Sequence, residues 1–266
     1  MAFPEDRFCE VNGQKIHVKQ WSDSGPLMIF LHHITGGCGI WDNIAPAFTS
    51  EYQVIAVDLR GHGLSSNPDQ GYRWVEDFSQ DIIELIKVYD SDSVTLVGYS
   101  FGCMVAIPVA VTMPERVSAL IFEEPPLFDQ SRNYGLSWWE EWQVFFHMSI
   151  DEKTAHLMSQ GHSAEEAKSK AERKHRISPG VLDEFLGGTA AYNFEDWLPK
   201  VSCKTLLFLG NKGGILNQAD RQRIKELFEF SRISEWDNAG HGVHEVDPVK
   251  YINEVKQFLH DKFVTP

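Results

Sequence analysis

A serine at the centre of a glycine-flanked pentapeptide has the sequence context that points most directly to chemistry. The segment Gly98-Tyr99-Ser100-Phe101-Gly102 follows the apolar run Val94 to Val97 and precedes a helix-like stretch from Cys103 to Val111. A G-x-S-x-G turn between a strand and a helix holds its serine in a strained conformation with the hydroxyl exposed. The chain has four G-x-S triplets, and only this one has a glycine two residues after the serine. Ser100 is therefore the predicted nucleophile.

A serine hydroxyl needs a base to accept its proton. Among the eleven histidines, His241 lies in the glycine-containing segment 238–242, which follows the last predicted strand and precedes the last predicted helix. A loop at this place can return a base to the carboxyl edge of a parallel sheet. His241 is the predicted base, and His244 is its local competitor.

The acid that orients the base is sought at the ends of buried strands. The turn after the strand Thr205 to Gly210 contains no carboxylate, whereas Glu123 and Glu124 end the strand that begins at Ala119. Two consecutive residues of a strand point to opposite faces, so at most one of them can meet the base. Glu124, at the strand tip, is the predicted acid. Glu123 is the alternative, and Asp220 is a third candidate in which a helix-start carboxylate serves instead.

Negative charge that develops on the substrate oxygen needs backbone N–H donors. The N–H of Phe101 lies at the start of the helix after Ser100, and the turn after the strand Leu27 to His32 offers the N–H of Ile34. Gly36 and Gly37 allow that turn an unusual backbone path. Phe101 and Ile34 are the predicted oxyanion-hole residues.

The elements that must position these residues alternate between apolar strands and helical patterns, which predicts an α/β fold with a mostly parallel sheet. The predicted strands are a hairpin (Phe8 to Val11 and Lys15 to Trp21) followed by Leu27 to His32, Gln53 to Asp58, Val94 to Gly98, Ala119 to Glu124, Thr205 to Gly210 and Ser231 to Trp236. Residues 127–197 contain no convincing strand and are too long for an ordinary crossover. We therefore predict a core domain of residues 1–126 and 198–266, with residues 127–197 inserted as a helical cap.

Composition narrows the classes of partner. The formal net charge of −14 disfavours binding to nucleic acid or to an anionic membrane. The four cysteines, Cys9, Cys38, Cys103 and Cys203, are widely spaced, which disfavours a disulfide framework or a zinc site. No signal-peptide pattern and no apolar stretch of ~18–20 residues is found. A cytoplasmic protein without a metal or organic cofactor, monomeric or homodimeric, is the expectation.

Taken together, these residues resemble the α/β-hydrolase superfamily over nearly the whole chain. The resemblance rests on the pentapeptide around Ser100, on Gly240-His241, and on the segment 58–65, which resembles the D-x-R-G-x-G-x-S turn of these proteins. It implies an eight-stranded sheet with flanking helices and a structural role for His62.

The chain departs from the usual family pattern at two places. In most members the acid of the triad follows a later strand, at a position matching Gly213. A minority, including zearalenone lactonases, places it where Glu124 stands. The family usually reads His-Gly in the oxyanion turn, whereas this chain reads His32-His33.

The predicted chemistry is two-step acyl transfer on a small, partly apolar ester, lactone or amide. The cap is rich in aromatic residues, and Trp138, Trp142 and Phe128 are the predicted substrate contacts. The same three catalytic residues could serve a carbon–carbon bond hydrolase of diketone-like substrates. A hydrolase-like ligand receptor with slow turnover is the alternative from another functional class.

Overall fold

The computed structural model describes residues 3–128, 136–186, 194–228 and 231–261. Eight strands form one sheet: β1 (Glu5–Val11), β2 (Gln14–Gln20), β3 (Leu27–Leu31), β4 (Gln53–Val57), β5 (Val94–Tyr99), β6 (Val117–Glu123), β7 (Lys204–Gly210) and β8 (Ser231–Trp236). Each predicted strand is present, with ends that coincide or differ by at most three residues. The sheet confirms the predicted α/β class.

The helices lie between the strands as the alternation predicted. They are α1 (Gln80–Tyr89), α2 (Phe101–Thr112), α3 (Leu136–His147), α4 (Ile150–Ser159), α5 (Ala164–His175), α6 (Pro179–Leu186), α7 (Gln218–Leu227), α8 (Val243–Val246) and α9 (Pro248–His260). A π-helical segment, Trp74–Ser79, leads directly into α1. Short 3-10 helices cover Cys38–Trp41, Ala45–Phe48 and Leu198–Lys200.

The strand order is β1-β2-β4-β3-β5-β6-β7-β8. β1, β2 and β4 pair in antiparallel fashion, and all pairs from β4 through β8 are parallel. Residues that follow β3, β5, β6 and β7 therefore meet at one carboxyl edge, where ligands bind in open α/β sheets.

The sheet separates two apolar cores. One core contains residues of α1 and α2, and the other contains residues of α9 and of the segment 38–48. In β6, Ile121 packs in the α9 core and Phe122 in the α2 core. This alternation also decides which way Glu123 and Glu124 point.

Helices α3 to α6 lie between β6 and β7, in the segment where the sequence predicts a cap. α3 packs on α6, and α4 packs on α5. We call α3 to α6 the insertion helices. In the part of the chain that the structure describes, no helix has both the length and the apolarity needed to cross a bilayer.

Candidate active site

Ser100 lies at a sharp turn between β5 and α2. Its backbone has φ 51° and ψ −111°, a left-handed region that costs a non-glycine residue on the order of 1–3 kcal/mol. The Ser100 N–H donates to the carbonyl of Glu123 (2.8 Å), and the Cys103 N–H donates to the carbonyl of Ser100 (3.0 Å). These bonds hold the strained residue in place.

Two glycines make this turn possible. A Cβ on Gly98 would lie 2.7 Å from the nitrogen of Cys103, and a Cβ on Gly102 would lie 2.3 Å from the carbonyl oxygen of Leu31. Real Cβ atoms essentially never approach this closely. The strand–helix junction is therefore packed backbone to backbone, which explains both glycines of the motif.

The loop after β3 is fixed by buried histidines. His62 Nε2–H donates to the carbonyl of Ile34 (2.7 Å). His32 Nδ1–H donates to the carbonyl of His33 (2.7 Å), and His32 Nε2 accepts the N–H of Leu59 (3.1 Å). Burial lowers the pKa of His32 to about 3, so this ring is neutral. We call residues 32–37 the oxyanion loop, after its predicted role.

The Phe101 N–H is at the first position of α2, where it has no acceptor within the helix. The side chain of Phe101 is buried against the rings of Trp74 and Phe78. Helix α2 therefore begins at a fixed position.

Glu123 points toward the loop that carries the predicted base. Its side chain is fully buried, and Oε1 accepts the backbone N–H groups of Val243 (2.5 Å) and His244 (3.3 Å). His244 Nδ1 lies 2.8 Å from Oε2 of the same carboxylate. The carboxylate that contacts the histidine loop is thus Glu123.

Glu124 points to the other side of β6, and the structure does not place it against His241. Its oxygens accept the backbone N–H groups of Gly210 (2.6 Å) and Ile215 (2.7 Å), in the turn after β7. Burial raises the pKa of Glu124 to about 7, although the two N–H groups oppose that shift. Neither carboxylate forms a hydrogen bond with His241 among the described residues, so the sequence-based assignment of Glu124 as the orienting acid stays a prediction, with Glu123 as its alternative.

His241 lies beside the turn that carries the serine. Its ring centroid is 4.9 Å from that of Tyr99, the residue before Ser100. Its Nδ1 is buried and has no hydrogen-bond partner among the described residues. Burial lowers the pKa of His241 to about 4, so the ring is neutral and able to accept a proton at physiological pH.

His244 is also buried, and it packs against Tyr99 and Trp41. From the sequence it was only a competitor of His241 for the role of base. Its ring stacks on Trp41 at 4.8 Å between centroids and meets Tyr99 edge-on at 5.4 Å. Burial alone would lower the pKa of His244, but the adjacent Glu123 outweighs it and raises that pKa. In the sequence, the three-residue spacing between His241 and His244 at the start of α8 was the pattern that could have indicated that the two histidines lie near each other.

A cavity of about 1390 Å³ lies between the core edge and the insertion helices. Its core wall includes His33 and Thr35 of the oxyanion loop, and Trp142 of α3 lines the opposite side; its role as a substrate contact stays a prediction. Ser100 is 8% exposed and is not among the lining residues. The cavity comes nearest to the elbow at His33, whose ring lies 4.9 Å from that of Tyr99.

The other two predicted substrate contacts have different outcomes. Phe128 is 9% exposed and packs in the α2 core, as does Leu127 before it. The structure thus does not place Phe128 in the cavity wall. The side chain of Trp138 lies outside the described residues.

Among the described residues, His17, Cys38 and Asp58 have ligand atoms within 4.8 Å of one another, as a metal site would require. However, Asp58 already accepts bonds from His17 Nδ1 (2.7 Å), the Cys38 N–H (2.7 Å) and the Leu64 N–H (3.0 Å). Burial raises the pKa of Cys38 and so disfavours the thiolate that binds metals. These contacts fit a buried polar network that fastens the loop after β4.

Comparisons with known proteins agree with this architecture. A model of the family described as "alpha/beta hydrolase fold" matches residues 26–248. The N-formylmaleamate deformylase of Pseudomonas putida is 26% identical over 236 residues, which are 86% of this chain and 87% of that protein. The 2-(acetamidomethylene)succinate hydrolase of Mesorhizobium japonicum is 36% identical over 98 residues, which are 37% of this chain and only 35% of that protein.

A solved structure, that of E-2-(acetamidomethylene)succinate hydrolase, is similar over most of its length. It superposes with a TM-score of 0.81 at 21% identity and covers 97% of this chain and 100% of that chain. At this level of identity the likeness bears on the fold.

Proposed function

Because this chain belongs to the α/β-hydrolase family, we propose that it is a serine hydrolase that cleaves a carboxylic ester, lactone or amide through an acyl-enzyme on Ser100. The observation that carries the proposal is the strained backbone of Ser100, with φ 51° at the β5–α2 junction. A strained residue at a functional site is retained when its geometry is part of the mechanism.

The proposed roles follow from the contacts. His241 accepts the Ser100 hydroxyl proton while Oγ attacks the carbonyl carbon, and the oxyanion is held by the N–H groups of Phe101 and Ile34. His241 then returns that proton to the leaving oxygen or nitrogen as the carbonyl–heteroatom bond breaks. Water hydrolyses the acyl-enzyme by the same steps in the opposite sense, with His241 again as the base.

Glu123 is proposed as the acid in place of Glu124. Its carboxylate holds the loop of His241 through the N–H groups of Val243 and His244. In this proposal Glu123 acts by positioning, since it fixes the loop two residues after His241 through the Val243 N–H. No step of this sequence uses a metal or an organic cofactor.

The names of the similar proteins agree with cleavage of an acyl group. One is named as a deformylase, and the other is a hydrolase named for a substrate with an acetamido group. These names favour including amides beside esters and lactones in the substrate panel.

The nucleophile is tested by comparing Ser100→Ala with Ser118→Ala on a panel of p-nitrophenyl esters. Ser118 is an exposed residue of β6 that bonds the Val94 carbonyl, far from the carboxyl edge. We expect Ser100→Ala to lower kcat/KM by about 10³-fold or more, and Ser118→Ala to match the parent.

A second readout is independent of turnover. A fluorophosphonate probe should add its mass to the peptide that contains Ser100, and the adduct should be absent in Ser100→Ala. Activity of Ser100→Ala within a few-fold of the parent, or labelling at another serine alone, would remove Ser100 from this role.

A further inference from the structure

Four cations from one end of helix α5 line the cavity. Lys170, Arg173, Lys174 and Arg176 all face it, and all lie in or directly after the last two turns of the helix. The first three share a helix side, since residues three and four apart are neighbours on a helix surface. Lys168, on the same helix, is exposed and is not a lining residue.

None of these cations forms an ion pair with a carboxylate among the described residues, although the charge of Lys170 contributes to lowering the pKa of Glu166, one turn earlier on α5. Lys170 Nζ lies 3.3 Å from His162 Nε2, and Arg173 donates to the hydroxyl of Ser169 (3.3 Å). The chain has 38 acidic and 24 basic residues, so partners of opposite charge are abundant elsewhere. Grouping four unpaired cations is unfavourable because like charges repel.

Lys174 joins this cluster to the oxyanion loop. Its Nζ donates to the carbonyl oxygen (2.8 Å) and the hydroxyl (2.7 Å) of Thr35, the residue after Ile34. An ammonium group has three donors, so one remains after these two bonds. Burial lowers the pKa of Lys174 to about 8, with further lowering from Arg173 and Lys170.

The acids of the cavity lie on other walls. On the core side, Asp42 pairs with Lys19 at 2.7 Å, and both Asp6 and Asp58 contact His17. The remaining two, Glu140 and Glu141, are on α3. The wall formed by α5 is therefore positively charged and adjoins the loop that binds the reacting carbonyl.

We propose that the substrate of the Ser100 site carries a carboxylate, separate from the bond that is cleaved, and that Arg173 and Lys174 bind it. This inference rests on the proposed function and specifies its substrate class. A guanidinium binds a carboxylate through two parallel N–H bonds, and the free donor of Lys174 adds a third. Binding there places the anion beside Thr35, the residue after the proposed oxyanion donor Ile34.

The test compares two p-nitrophenyl esters of similar length, mono-p-nitrophenyl glutarate and p-nitrophenyl hexanoate. The readout is the ratio of their kcat/KM values in the parent, in Arg173→Gln and in the matched control Lys168→Gln. We expect the parent to favour the anionic ester, Arg173→Gln to reduce the ratio by about tenfold through KM, and Lys168→Gln to leave it unchanged. A parent ratio that neither favours the anion nor changes in Arg173→Gln overturns the inference while the serine hydrolase stands.

A binding measurement separates failure of this inference from failure of the proposed function. Calorimetric titration of glutarate into the Ser100→Ala protein should give a Kd that rises about tenfold with Arg173→Gln added. Glutarate binding with no turnover of either ester would overturn the function and keep the carboxylate site. Absence of glutarate binding, or equal binding of inorganic phosphate, would overturn the carboxylate site.

Discussion

The core wall of the cavity and the wall formed by α5 differ in whether their charged side chains have partners of opposite charge. On the core wall, carboxylates have partners within the protein: Asp42 pairs with Lys19, and Asp58 accepts bonds from His17 Nδ1 and the Cys38 N–H. On the wall formed by α5, none of the cations Lys170, Arg173, Lys174 and Arg176 forms an ion pair with a carboxylate among the described residues. The difference indicates that the core wall is arranged before substrate arrives, while the α5 wall is left for a ligand to complete.

The largest expected effect separates the two carboxylates at the end of β6, which lie behind the core wall. Glu123→Gln should lower kcat by about 10³-fold, because removing the acid of a serine triad costs roughly 10³–10⁴. Glu124→Gln should lower kcat less than tenfold, since its partners Gly210 and Ile215 are in the turn after β7. Steady-state kinetics on one activated ester measures both, and a larger loss in Glu124→Gln would reverse the assignment.

Glu124 should affect stability through pH instead. Its folded pKa of about 7 is above the ordinary 4.5, so the folded state binds more protons than the unfolded state between these values. The unfolding free energy should therefore fall as pH rises from 4.5 to 7, by up to roughly 3 kcal/mol from this group. Urea titrations at several pH values should show this slope in the parent and a reduced slope in Glu124→Gln. An equal slope in both proteins would contradict the prediction.

The acid limb of the activity profile distinguishes the two histidines. If His241 is the base, kcat/KM should fall about tenfold per pH unit only below its pKa of about 4. If His244 is the base, the limb should lie above the ordinary 6.5, since Glu123 raises the pKa of His244. Pre-steady-state mixing from neutral buffer into acid keeps the protein folded during the measurement, and His244→Gln should keep the low limb.

The smallest effect concerns the α5 wall. Ser163 caps α5, accepting the Glu166 N–H in a capping box. Ser163→Ala should destabilise this helix by about 1 kcal/mol, whereas Ser163→Asp should preserve it. Amide hydrogen exchange should accelerate in α5 and remain unchanged in α2. Acceleration in both helices would mean that the two walls unfold together.

Much of the core domain could be predicted from the sequence because its strands and turns are encoded by short local patterns. The elbow at Ser100 shows itself through glycine spacing, and the strands show themselves through apolar runs between turn residues. The choice between Glu123 and Glu124 depends on which face of β6 is covered by α9, as Ile121 shows by packing there. That contact joins residues more than a hundred positions apart, so no local pattern encodes it.

The α5 wall was harder to predict for a different reason. A run of charges on a helix usually means a solvated face, and α5 has that composition. Only the placement of α5 over the cavity separates Arg173 and Lys174 from Lys168. The position of Trp142 in the cavity wall agrees with its aromatic character, which suits either a cap core or a pocket wall.

The contact between Gly102 and the carbonyl of Leu31 has a consequence for engineering. Leu31 directly precedes the oxyanion loop, and Gly102 follows the residue whose N–H is the other proposed donor. The spacing of the two donors is thus set by main-chain atoms touching one another. Side-chain substitutions can change which molecules enter the cavity and which charged groups bind them. The distance between the two proposed oxyanion donors depends on the backbone, so such substitutions should leave it unchanged.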